Sequence, residues 1–128
     1  LNVSFGQDSV MDPWGSLNTG DVLDAAHMAV HAGHLSGRDE IIACFRAVTE
    51  NPARAMGLEG YGLEIGCNAD LVVLQAADPV EAVRLRPVRL YVMRRGNIIA
   101  ESAPEEAKLT LPGRPGSTDF TRQTRPPE

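Results

Sequence analysis

The chain has 128 residues, 43% hydrophobic and only 5% aromatic, with 12 Lys and Arg against 17 Asp and Glu and a formal net charge of −5. That length suits one modest domain or a part of a larger protein. The acidic balance argues against nucleic acid as a partner, since little counterion release is on offer, and no apolar run reaches the ~18–20 residues of a membrane-spanning helix.

Residues 1–6, with the apolar run Val3 to Phe5, read as the end of a buried strand that Gly6 breaks. Residues 7–18 make a polar loop. Asn18 or Thr19 is a candidate cap for a helix with Asp21 in its first turn; Val22, Leu23, Ala26, Ala29 and Val30 keep helical spacing until Gly33 and Gly37. A second helix is predicted from Arg38 to about Glu50, with Ile41, Ile42, Phe45 and Val48 as its buried stripe. Pro52 opens a third, short helix that Gly57 closes. Past Leu58, Gly60, Gly62 and Gly66 punctuate a loop, and Asp70 to Leu74 reads as a strand buried on both faces. Pro79 to Leu85 suits one or two helical turns. Val88–Met93 and Ile98–Ala100 form a hairpin around Arg94-Arg95-Gly96-Asn97. From Ala103 onward, Pro, Gly and charges replace the apolar pattern, which predicts an extended or disordered tail. Cys44 and Cys67 lie far apart and read as free thiols of a reducing compartment, so a cytoplasmic location is expected. Leu1 stands where an initiator Met would, and the few strands cannot close a sheet or barrel. The chain therefore reads as the end of a longer protein.

Asp8 is the most chemically pointed residue. Just past the C-terminal end of a strand in a parallel barrel, an acid faces the active site and can bind a metal or move a proton; as a plain turn residue it would instead bond its own backbone. Asp12 precedes Pro13 and suits a turn. Trp14, the single tryptophan, suits either a pocket wall or ordinary packing. His27, His31 and His34 stand at i, i+4 and i+7 and share a helix face, as in zinc-binding H-E-x-x-H helices, but Met28 occupies the place of the general-base Glu. The trio therefore reads as a packed or half-exposed face. There is no Cys-x-x-Cys pair, no phosphate loop, no G-x-G-x-x-G after a strand and no G-x-S-x-G elbow. The glycines at 60, 62 and 66 read as turns, and Arg84, Arg86, Arg89, Arg94 and Arg95 as a solvated face.

Two segments together resemble a known family. Thr49-x-Asn51-Pro52-Ala53-x-x-x-Gly57-Leu58, followed by Gly62-x-x-x-Gly66-x-x-Ala69-Asp70-Leu71-Val72-Val73-Leu74, is similar to the C-terminal signature of the amidohydrolase superfamily. Asn2-Val3-x-Phe5-Gly6-x-Asp8-x-Val10-x-Asp12-Pro13-Trp14, with His27-Met28 and His31, resembles its cytosine deaminase branch. The likeness covers about residues 1–102 and implies an α/β fold. The chain would be the C-terminal fragment of a (β/α)8 TIM barrel, its last strand and helices, plus part of a small β-sandwich. Residues 1–57 would end the barrel, 58–102 belong to the sandwich and 103–128 form a Pro/Gly-rich tail.

By the same resemblance Asp8 matches the aspartate that ends the eighth strand, where it ligates the catalytic metal and takes part in proton transfer. Trp14 matches a tryptophan beside the substrate. Ser9 falls where cytosine deaminases of the branch carry a second aspartate against the base, and Gln7 where a histidine can occur. The implied cofactor is one divalent ion, Zn or Fe, which lowers the pKa of bound water from about 15.7 towards roughly 7. The implied reaction is hydrolysis of an exocyclic C–N bond on a pyrimidine-like ring, releasing ammonia or amine. The alternatives are an amidohydrolase of triazines or cyclic ureides, which Ser9 favours, or an inactive fragment or interaction module. The partner is a small nitrogen heterocycle, with neither nucleic acid nor membrane, and the full-length enzyme is expected to be a homo-oligomer. The family's His-x-His pair, its further His and its Glu are not in this chain, which alone should be inactive.

Overall fold

The computed structural model describes residues 1–13, 16, 17, 19–114 and 116. In chain order its elements are α1 (Val22–Ala32), α2 (Arg38–Ala47), α3 (Glu50–Ala55), β1 (Leu71–Leu74), α4 (Pro79–Leu85), β2 (Arg89–Arg94) and β3 (Asn97–Glu101). The fold is mixed α/β: helices α1, α2 and α4 pack on one another, and the three strands form an antiparallel sheet in the order β1-β2-β3.

Local chemistry accounts for most of these boundaries. Asp21, rather than Asn18 or Thr19, caps α1: its Oδ1 accepts the Leu23 N–H at 2.8 Å. Thr19 supports it from one step back, its hydroxyl accepting the Asp21 N–H and donating to Asp24 Oδ2 at 2.7 Å. Asn18 lies outside the described residues. Helix α2 stops at Ala47, short of the expected Glu50, and α3 starts at Glu50, so that Pro52 sits within its first turn instead of opening it. Asp78 caps α4, with Pro79 at its first position, as the sequence predicts for 79–85. The hairpin turn is Arg95-Gly96, with φ of +49° and +79°. Two positive φ values in a two-residue loop make a type I′ turn, whose twist matches the flanking strands.

The core is small: Leu23, Ala26, Cys44, Val48 and Val83 are buried together, with Phe5, Ile41, Phe45 and Leu74 packed partly against them. Two expectations fail here. Residues 1–6 form no strand, because no described strand runs beside them to complete a ladder. Strand β1 is not buried on both faces either; Val72 is 53% and Val73 41% exposed, since the described sheet has only three strands and β3 is exposed throughout. The tail beyond Ala103 is described only in part. There Glu105 is held by two hydrogen bonds of 2.9 Å between its backbone and the Gln75 side chain. No described helix is long and apolar enough to cross a membrane.

Candidate functional site

The segment leading to Asp8 forms no regular element and is pinned at several points. Phe5 N–H donates to the Ala47 carbonyl at 2.8 Å. Asn51 Nδ2 donates to the Val3 carbonyl at 2.7 Å, and Asn2 Nδ2 donates to the Asn51 carbonyl at 2.9 Å. The junction of α2 and α3 thus holds the chain just upstream of Asp8. From Phe5 onward, burial alternates with a period of two: Phe5, Gln7 and Ser9 are half-buried, whereas Gly6, Asp8 and Val10 are exposed. The loop then turns sharply, with Met11 in the left-handed region at φ +59°. Trp14 lies outside the described residues.

Gln7 ties this segment to α1. Its Nε2 donates to the Asp21 carbonyl at 3.0 Å, while its Oε1 is buried and meets no donor among the described residues. Asp21 in turn caps α1 and forms an ion pair with Arg89 on β2. The basic stretch is therefore not simply a solvated face. Arg89 holds Asp21, Arg86 holds Asp24 at 3.1 Å, and Arg84 pairs with the buried Glu81. The Asp21 and Asp24 pairs join α1 to the segment from α4 to β2, which local sequence spacing could not reveal. The signal available was Asp21 itself, an acid placed directly before the apolar periodicity of α1.

The histidines separate. Helix α1 ends at Ala32, and His34, at φ +53°, falls past its cap and off the shared face. His27 and His31 remain together edge to face, ring centroids 4.5 Å apart and planes at 67°, with Nε2 to Nε2 at 3.2 Å; His27 Nδ1 meets the Val83 carbonyl at 3.1 Å. Burial lowers the His27 pKa from the usual 6.5, with Arg86 and His31 acting the same way against the Val83 hydrogen bond. Away from both features, the glycine loop is a set of turns, as expected. Gly60 holds φ +68° while its carbonyl accepts the Asn68 N–H at 2.7 Å.

As a metal site the described residues are incomplete. No group of three or more His, Cys, Asp or Glu among them could hold an ion. Asp8 suits one position in such a shell: its carboxylate offers hard oxygen donors on an exposed side of a pinned segment.

The comparisons with known proteins place the chain in a family. Residues 1–100 match the model of the amidohydrolase family, and the chain belongs to that family. N-isopropylammelide isopropyl amidohydrolase of Pseudomonas sp. (strain ADP) is 30% identical over 102 residues, 79% of this chain and 25% of the relative. Among solved structures, 5-methylcytosine deaminase from Klebsiella pneumoniae liganded with 5-fluorocytosine superposes with a TM-score of 0.79 at 37% identity. That match covers 85% of this chain and 27% of the deaminase. N-isopropylammelide isopropylaminohydrolase from Burkholderia multivorans gives a TM-score of 0.74 at 34% identity, over 79% of this chain and 26% of that enzyme. The chain thus spans about a quarter of the length of these relatives.

Proposed function

We propose that this chain supplies the C-terminal end of the catalytic barrel, and part of an adjoining β-sandwich, of a metal-dependent amidohydrolase that hydrolyses an exocyclic C–N bond on a small nitrogen heterocycle. Residues 1–57 would close the barrel, 58–102 contribute to the sandwich and 103–128 form the tail. The observation that carries the reading is the placement of Asp8. It sits exposed just after a segment pinned by Asn51 and Ala47, inside the span that matches the family.

Asp8 would hold one divalent cation together with ligands from the remainder of the enzyme. The cation, Zn or Fe, supplies a water nucleophile that is reactive at neutral pH. The carboxylate of Asp8 can also accept the proton released during attack and pass it to the departing amine. Gln7 keeps the segment registered against α1 through Asp21, so the Asp8 carboxylate is held by its neighbours rather than by its own contacts. The buried, unmatched Gln7 Oε1 can accept a hydrogen bond from a donor brought by substrate or water. Ser9, half-buried, would present a neutral hydroxyl to the substrate, and Trp14 would wall it. A hydroxyl grips an amine without ionic charge, which suits an N-alkylated triazine as well as a pyrimidine. The relatives named for N-isopropylammelide and for 5-methylcytosine bracket that range.

The test is turnover by the full-length protein on cytosine, 5-methylcytosine and N-isopropylammelide, with ammonia or isopropylamine measured as product. Release of either amine, lost on chelation and restored by Zn or Fe, is expected. Absence of turnover on every such heterocycle overturns the reading.

A further inference from the structure

His27 and His31 belong to no part of the proposed reaction, yet their geometry is specific. At i and i+4 on α1 their imidazoles lie on one face, and the two Nε2 atoms approach to 3.2 Å. The Val83 carbonyl can only accept, so neutral His27 carries its proton on Nδ1 and turns a bare Nε2 lone pair towards His31. A hydrogen bond between the two rings then needs the His31 Nε2–H. Replacing that single proton by a cation leaves two imidazole lone pairs converging on one point.

We propose that His27 and His31 form a two-histidine site for a borderline divalent cation, Cu²⁺, Ni²⁺ or Zn²⁺, separate from the site at Asp8. With metal–nitrogen bonds of ~2.0–2.1 Å, a 3.2 Å separation corresponds to an N–metal–N angle of about 100°, between square and tetrahedral values. The Val83 carbonyl on His27 Nδ1 is the outer contact that fixes the tautomer and orientation of metal-bound histidines. His31 is exposed, so a cation can enter from solvent with water filling its other positions.

The described residues supply these two ligands and no third. His34 has left the helix, and Asp24, one turn earlier, already accepts from Thr19 and pairs with Arg86. Two imidazoles select by the Irving–Williams order, so Cu²⁺ binds tightest, Ni²⁺ and Zn²⁺ less tightly, and Mg²⁺ and Ca²⁺ not at all. A bound cation bridges one turn of α1 and reinforces the His27 contact with α4, so binding stabilises the fold.

The experiment uses chelator-stripped protein titrated with Cu²⁺, Ni²⁺ and Zn²⁺ separately. It is followed by calorimetry, by the shift in Tm and, for Cu²⁺, by electron paramagnetic resonance. Wild type is expected to show a saturable equivalent with coupling to two imidazole nitrogens and a raised Tm. His31→Ala, which removes an exposed side chain, should weaken that equivalent at least tenfold and abolish the Tm shift. His27→Gln should weaken it similarly, and Asp8→Ala should retain it. Undiminished binding in His31→Ala, or loss of this equivalent in Asp8→Ala, overturns the proposal.

Discussion

Asp8 and Ser9 are neighbours in sequence, one exposed and the other half-buried, and their proposed roles answer to different experiments. On the proposed reading, Asp8→Ala in the full-length protein removes a metal ligand and a proton carrier together. General acid–base assistance alone is worth about 10²–10⁴-fold, so kcat is expected to fall at least about 100-fold, with metal content measured in the same samples. Wild-type turnover by this variant excludes Asp8 from the chemistry. Ser9→Asp instead restores the acid that the cytosine deaminase branch carries at this point. One charge-assisted hydrogen bond to a ring amine contributes about 1.5–3 kcal/mol, so the ratio of kcat/KM for cytosine over N-isopropylammelide should rise about tenfold or more. An unchanged ratio places Ser9 away from the substrate.

At the scale of elements, the start of α1 is where β2 meets the candidate site. Asp21 caps the helix, pairs with Arg89 and lends its carbonyl to Gln7. Loss of a cap costs about 1 kcal/mol, and Asp21→Ala also strands a half-buried guanidinium. Urea unfolding should therefore report about 1–3 kcal/mol of destabilisation, and a cycle with Arg89→Ala should be non-additive. Asp78 makes the analogous argument testable by pH. The Glu81 N–H first, and Arg38 besides, hold its carboxyl below the ordinary 3.8 against a smaller opposing effect of burial. A depressed folded pKa means stability that is present above the unfolded value and lost as pH falls through the folded one. The advantage of wild type over Asp78→Asn should hold at neutral pH and shrink as pH drops below 3.8. A constant difference down the acid limb removes Asp78 from the acid response.

These two caps also mark how far the sequence could be read. Asp78 followed by Pro79 is a local signal, and α4 forms over the residues it predicts. The Arg95-Gly96 turn and the family signature around Ala69-Asp70-Leu71 are local as well, and the hairpin and the family are both found. Asp21 is half-legible: its capping role is written beside Val22 and Leu23, but its partner Arg89 is 68 residues away. His34 keeps helical spacing in the sequence and leaves the helix because the chain turns at Gly33. Strand character at 1–6 and full burial of β1 depend on neighbouring strands and layers, which no periodicity within those residues can specify.

Across the whole molecule, apolar surface is left open on several elements at once. Leu63 is 90% and Ile65 107% exposed, Ile98 55% and Ile99 63%, while Leu1 and Val3 in the segment before Asp8 are also uncovered. Against them stands a core whose largest fully buried side chain is Val83. Single exposed apolar residues are ordinary, but this many on a three-stranded sheet and its preceding loop favour association. On the proposed reading, in which this chain is about a quarter of a protein as long as its relatives, the remainder covers these faces. The isolated 128-residue chain should therefore sediment as a concentration-dependent oligomer and enhance the fluorescence of an apolar dye. The full-length protein should bind much less dye per residue. A monodisperse monomer of the isolated chain, silent to the dye, means that these side chains pack among themselves, and the covering role assigned to the rest of the enzyme is then wrong.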